Sequence, residues 1–138
     1  MKPLFADTFY WIAVTDWRES SHAAALALTT ERQAAGLVTT DEVLTEFFAF
    51  FSNAPEPMRR WVAKTARDAI SSRDVRVIPQ SRESFLSGLD LYTARPDKGY
   101  SLVDCISMQT MRRLGLTEVL TNDRHFVREG FTALLRRE

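Results

Sequence analysis

Leu120-Thr121-Asn122-Asp123-Arg124-His125-Phe126 reads as the end of a strand followed by an abrupt polar corner. Glu118-Val119-Leu120-Thr121 is rich in strand formers, and the helical stretch before it, residues 101–116, stops at Gly115. Asp123 therefore falls just past the carboxyl end of a strand in a helix–strand alternation. In open parallel α/β sheets, ligands bind at that edge. Pro3-Leu4-Phe5-Ala6-Asp7 repeats the arrangement near the start of the chain: a short apolar run, then an aspartate. Two carboxylates at one sheet edge would begin a site.

Between these ends, Leu37-Val38-Thr39 and Val75-Arg76-Val77-Ile78 read as further short strands, and residues 131–135 as a last one before a basic tail at Arg136-Arg137. Helices are expected over residues 9–17, after Asp7-Thr8, and over 23–35, opened by Ser20-Ser21 and stopped by Gly36. Thr39-x-x-Glu42 fits a capping box for a helix whose stripe is Val43, Leu44, Phe47, Phe48, Phe50 and Phe51. Residues 57–70 and 81–93 supply two more helices, and Ser101-x-x-Asp104 opens the one that leads to Gly115. Strands alternating with helices predict an α/β fold with a mostly parallel sheet of four to five strands.

A length of 138 residues predicts one domain over 1–138. With 45% apolar and 26% charged residues the composition is that of an ordinary soluble globular protein. Eighteen basic side chains balance eighteen acidic ones, so no global field draws the chain to nucleic acid or membrane, and any such binding must use a local patch. The single cysteine, Cys105, suits a reducing compartment. No apolar run approaches the roughly 18 residues of a membrane span, and the expectation is a cytoplasmic protein without membrane contact.

Two more acids lack basic neighbours at helical spacing. Glu46 has Glu42, Val43, Ala49 and Phe50 at i±3 and i±4; Asp104 has Tyr100, Ser101, Ser107 and Met108. Each acid also has a plain structural role open to it. Asp104 can be the last member of its capping box, Glu46 a flank residue, Asp7 a helix cap, and Asp123 a turn residue before a short helix. The functional case rests on Asp7, Glu46, Asp104 and Asp123 arriving together. Clustered, partly buried carboxylates are costly unless a cation neutralises them. Oxygen-only ligands select hard cations such as Mg²⁺ or Mn²⁺. The chemistry that follows is metal-assisted hydrolysis of a phosphate ester.

Asp7-Thr8, Val43-Leu44-Thr45-Glu46, the run from Ser101 through Asp104 to Ser107, and Leu120 through Asp123 to Phe126 resemble the ordered acidic motifs of PIN-domain ribonucleases. The similarity is closest to single-domain prokaryotic members such as the VapC-type toxins. The resemblance implies a three-layer α/β/α sandwich and a metal-dependent endoribonuclease that cuts RNA by metal-activated water. It implies Asp7, Glu46, Asp104 and Asp123 as catalytic metal ligands for Mg²⁺ or Mn²⁺, with Thr8 and Thr121 as supporting hydroxyls. It further implies a toxin with a cognate antitoxin, and a homodimer.

Arg60, Lys64 and Arg67 lie at i, i+4 and i+7 on one helix face and, with Lys98, are candidates to meet RNA phosphates. The helical three can equally form a solvated face or meet an acidic partner. His125 invites a role as base or metal ligand, but its place on a turn after Asp123 favours a structural partner. Cys105 at a helix start is expected to be inert. Two alternatives stand beside the nuclease: a catalytically silent binding protein of the same fold, and a receiver-like signalling domain, which also gathers acids at strand ends.

Overall fold

The computed structural model describes residues 1–136; Arg137 of the basic tail lies outside them. Five strands form one sheet: β1 (Leu4–Ala6), β2 (Leu37–Thr40), β3 (Val75–Ile78), β4 (Glu118–Leu120) and β5 (Thr132–Ala133). Every pairing is parallel, and the order across the sheet is β3-β2-β1-β4-β5. Three of the strands are only two or three residues long. β1 is fully buried and reads as an unbroken apolar run, as a central parallel strand covered on both faces should. Its neighbour β4 buries Val119 and Leu120 completely.

The connections are helical: α1 (Thr8–Thr15), α2 (His22–Glu31), α3 (Asp41–Phe50), α4 (Glu56–Ser71), α5 (Arg82–Ala94), α6 (Leu102–Leu114) and α7 (Arg124–Arg128). The chain steps outward from β1 to β2 and β3, then returns through α5 and α6 to β4 on the other side of β1. Right-handed crossovers put the outward and returning connections on opposite faces, which gives the three-layer α/β/α arrangement. Strand order thus reverses between β1 and β4, whose register aligns Ala6 with Leu120. Asp7 and Thr121, the next residue on each strand, face one another across the reversal.

The core joins Leu4, Phe5, Val119 and Leu120 of the sheet to Phe47, Met108, Met111 and Phe126 of the helices, all fully buried. Each such side chain contributes about 1.5–3 kcal/mol relative to exposure.

Some expected elements shift. α1 ends at Thr15 instead of 17, with Asp16 as its C-cap. Thr40 caps α3, accepting from the Val43 amide, so the Thr39–Glu42 capping box does not form. Thr39 instead lies within β2 and donates its hydroxyl to the Ala6 carbonyl at 2.8 Å. The last strand shrinks from residues 131–135 to two, because only Glu118 and Val119 pair with it. No helix among the described residues is long and apolar enough to cross a membrane.

Candidate active site

Asp7 is the N-cap residue of α1, yet its side chain makes no capping hydrogen bond. It turns toward β4, where Thr121 Oγ1 donates to Asp7 Oδ2 at 2.9 Å. Asp7 is 5% exposed, and its other oxygen, Oδ1, is buried with no hydrogen-bond partner among the described residues. Burial pushes the Asp7 carboxyl up to about 7; hydrogen bonds from Thr121 and the Thr8 backbone oppose this, and the charges of Asp104 and Glu46 add to it. A carboxylate in this position lacks a counter-charge.

Glu46 reaches the same place from α3, where Thr8 Oγ1 donates to its Oε1 at 2.5 Å. Asp104 arrives from the first turn of α6. It is the closing acid of a complete capping box: the Ser101 amide donates to Asp104 Oδ2 at 3.1 Å, and the Asp104 amide donates to Ser101 Oγ at 3.0 Å. Burial raises the Asp104 carboxyl; the Ser101 amide counteracts this, Asp123 raises it further, and His125 lowers it.

Asp123 caps α7, accepting from the His125 amide at 2.9 Å. Its own amide donates to Thr121 Oγ1 at 3.2 Å. One threonine hydroxyl thus ties the ends of β1 and β4 together. The structure therefore brings all four predicted acids toward the switch point: Asp7 feels the charges of Asp104 and Glu46, and Asp104 that of Asp123, while Asp104 and Asp123 have ligand atoms within 4.8 Å of one another. Two of them are helix caps as well.

His125 belongs to the cluster, although the acidic pattern alone did not place it there. Its Nδ1 lies 3.5 Å from Asp104 Oδ2 and 3.4 Å from Asp123 Oδ1. The Tyr100 ring packs at a tilt against the imidazole, with centroids 5.2 Å apart, and Tyr100 donates its hydroxyl to Glu129 Oε2. Glu129, with 6% of its side chain exposed, also pairs with Arg95 and Arg112. Burial works to raise the Glu129 carboxyl, but Arg112, Arg95 and Tyr100 together hold it below the usual range. This ionic knot fixes the end of α7 and the loop that leads into α6. The sequence signal for it was a lone glutamate flanked by no acid that would compete for the two arginines.

The basic candidates lie less directly. Arg60 pairs with Glu56 and Lys64 with Asp68, each one helical turn away on α4; Arg67 is exposed on the same helix. Lys98 stands 3.7 Å from Asp97, in the loop whose Gly99 borders His125. A polar hollow of about 520 Å³ beside Asp123 is lined by Glu19, Asn122, Arg124 and Arg136, and these two arginines had not been singled out. A second hollow, of about 460 Å³, includes Gly36, Leu37, Asp74 and Val75 at the opposite edge of the sheet, away from the acids. Cys105 is buried; burial first, and then Asp104, push its thiol up to about 11, so it stays protonated and inert.

A scan against protein families matches residues 4–131 to the PIN domain. The chain belongs to the PIN-domain family. Among solved structures it is similar to VapC20 of Mycobacterium tuberculosis, a toxin that cleaves the sarcin–ricin loop. That likeness has a TM-score of 0.82 at 23% identity and covers 93% of this chain and 95% of that one. It is also similar to VapBC2 of Rickettsia felis, solved bound to a DNA fragment from its promoter, with a TM-score of 0.65 at 16% identity, covering 94% and 96%. At these identities the likeness concerns the fold. A search of curated protein sequences finds no match. PIN-family membership takes the place of the receiver-like alternative.

Proposed function

We propose that this PIN-domain protein is a metal-dependent endoribonuclease and the toxin of a toxin–antitoxin pair. The observation that carries the metal dependence is Asp7: a buried carboxylate with one oxygen unpartnered, beside the charges of Asp104 and Glu46. Such a group calls for a cation, and an oxygen-rich donor set fits Mg²⁺ or Mn²⁺. Asp7, Asp104 and Asp123 would hold the ion, with Glu46 completing the set. When bound, it supplies a water of lowered pKa and neutralises charge on the phosphate.

The chain's own groups do the rest. Thr121 fixes Asp7 and the Asp123 backbone in one register. Thr8 holds Glu46 toward Asp7. The Ser101 capping box sets the direction of Asp104. Arg124 and Arg136, in the hollow beside Asp123, and Lys98 offer cations to the RNA backbone, which position the strand without reading its sequence. The i,i+4 pairing of Arg60 and Lys64 leaves Arg67 as the α4 side chain more available for RNA phosphate.

The similarity to VapC20 and to a VapBC assembly supports the toxin role, a cognate antitoxin partner and work in the cytoplasm. It also makes a ribosomal stem-loop the first substrate to try. The neighbouring open reading frame should encode the antitoxin. Homodimerisation has candidate surface in the aromatic side chains that α3 and α4 leave exposed, Phe48, Phe50 and Trp61.

The test is cleavage of stem-loop RNA with Mn²⁺ or Mg²⁺ and with chelator. Cleavage is expected only with metal, leaving a 5′-phosphate and a 3′-hydroxyl, and a single 2′-deoxy substitution at the cut site should leave it intact. Cleavage in chelator, or 2′,3′-cyclic ends, would overturn the proposal.

A further inference from the structure

We propose that His125 is a nitrogen ligand of the cation site, so that Asp104, Asp123 and His125 together favour a borderline ion such as Mn²⁺ or Co²⁺ over Mg²⁺. The inference depends on the metal-dependent activity proposed above and specifies its ion.

The donor geometry is the first support. The His125 nitrogen and one oxygen each of Asp104 and Asp123 all lie within 4.8 Å of one another, and Nδ1 is 3.4 and 3.5 Å from the two oxygens. Donors bound to one ion at about 2.1 Å stand about 3.0 Å apart at right angles and about 3.4 Å apart at tetrahedral angles. The trio is therefore spaced as a set that needs little closure to share an ion.

The second support is what Nδ1 does otherwise. It is buried and has no hydrogen-bond partner among the described residues. An imidazolium donating to either carboxylate would sit at roughly 2.7–3.2 Å, closer than it does. A nitrogen that faces two carboxylates without a full hydrogen bond to either is placed to take an ion shared with them. Asp7, nine-tenths buried in the same cleft and with an oxygen equally unpartnered, points to a cation independently.

The third support is that the imidazole is held. Asp123 accepts from the His125 backbone amide, which locks the residue to the same turn as its carboxylate. Tyr100 packs on the ring, and Gly99 passes beside Nε2. Tyr100 is in turn anchored by Glu129, the centre of the Arg95 and Arg112 pairs. Ligand orientation by such outer contacts is a usual feature of histidine metal sites.

The chemical consequence follows from ligand type. Carboxylate oxygens accept Mg²⁺ and Mn²⁺ alike, whereas imidazole suits the transition ions and serves Mg²⁺ poorly. One nitrogen in the set tilts the balance toward Mn²⁺ and Co²⁺.

The experiment is pulsed electron paramagnetic resonance on untagged, metal-free protein loaded with Mn²⁺, with Mn²⁺ and Mg²⁺ affinities measured by calorimetry. Wild type should show the ¹⁴N coupling of a coordinated imidazole, and His22→Gln should keep it. His125→Gln should still bind Mn²⁺ but lose the coupling, and its preference for Mn²⁺ over Mg²⁺ should narrow by about tenfold. Mn²⁺ bound by wild type without ¹⁴N coupling, or coupling that survives in His125→Gln, would overturn the ligand assignment and leave the metal-dependent nuclease standing. Wild type that binds no Mn²⁺ and cuts RNA in chelator would remove both.

Discussion

Asp7→Asn should stabilise the metal-free protein, and the gain should grow with pH. The Asp7 carboxyl moves from its ordinary 3.8 to about 7 in the folded chain. Burial is the main cause, and a group this buried gets little relief from solvent. The folded state therefore holds the proton more tightly than the unfolded state does. Between pH 3.8 and 7 the folded protein carries more protons, so stability falls as pH rises. The contribution is complete below 3.8, declines through the interval, and is flat above 7. A tenfold change in proton affinity is worth about 1.36 kcal/mol, so the full loss is about 4 kcal/mol. Asn keeps an oxygen to accept from Thr121 and never ionises, so the variant lacks this slope.

The assay is urea denaturation of both proteins in chelator at intervals from pH 4 to 8. The two should nearly coincide at pH 4, and the variant should lead by about 4 kcal/mol at pH 8, roughly 14 °C in melting temperature. Asp104 and Glu129 also titrate, but they are common to both proteins and largely cancel in the difference. Adding Mn²⁺ should shrink the variant's lead, because wild type, with its full ligand set, gains more from binding in the native state. A gap that stays constant from pH 4 to 8 would refute the argument, since it would mean that Asp7 ionises in the fold as it does in water.

Asp104→Asn should melt within about 3 °C of wild type in chelator, because the lost cap charge offsets the relieved repulsion from Asp123 and Asp7; it should lose both its Mn²⁺-induced shift and its RNA cleavage. Glu129→Gln leaves Arg95 and Arg112 without their shared carboxylate and should cost about 2 kcal/mol at neutral pH by urea denaturation. Because the folded Glu129 carboxyl lies below its ordinary 4.5, its stabilisation is present above that value and fades as pH falls through the lowered one, so the two proteins should converge in acid. Gly88→Ala would place a Cβ 2.4 Å from Ile106 Cγ1 and 3.1 Å from the Ile106 backbone; forcing α5 from α6 should cost about 1–3 kcal/mol, read as a lower melting temperature.

The strands were legible because buried parallel strands are apolar without alternation, and each is cut off by a polar residue at the sheet edge. That also made Asp7 and Asp123 visible. Misplacements arose where neighbouring residues offer the same chemistry. Thr39 and Thr40 are equivalent as helix caps in sequence, and only the strand pairing, which runs through Thr40 opposite Ile78, assigns one hydroxyl to the Ala6 carbonyl and the other to the helix. α7 is five residues long, too short for a 3.6-residue period to show. The partners of Arg60 and Lys64 were in plain view at i−4 and i+4, as Glu56 and Asp68. His125 was set down as a structural partner for a different reason: its place on the turn after Asp123 shows in the sequence, whereas its approach to Asp104 depends on how α6 meets that turn.

Asp104 and Asp123 show why the choice between cap and site was a false one. A carboxylate at a helix start accepts a backbone N–H and meets the positive end of the helix dipole, so its charge is cheaper there than elsewhere in a partly buried cleft. The fold can therefore bring several acids together at the strand reversal by making some of them caps. Asp104 accepts from Ser101 and Asp123 from His125, and these bonds offset part of the cost of clustering whether or not an ion is bound. Asp7 has no such cap bond although it stands at the cap position of α1. Hydrogen bonds from Thr121 and the Thr8 backbone offset only part of its burial, and its other oxygen has no partner among the described residues. On the metal-dependent reading proposed above, a pair of caps and one exception gives such a cleft enough local support to fold without an ion, and one carboxylate that gains most from its arrival.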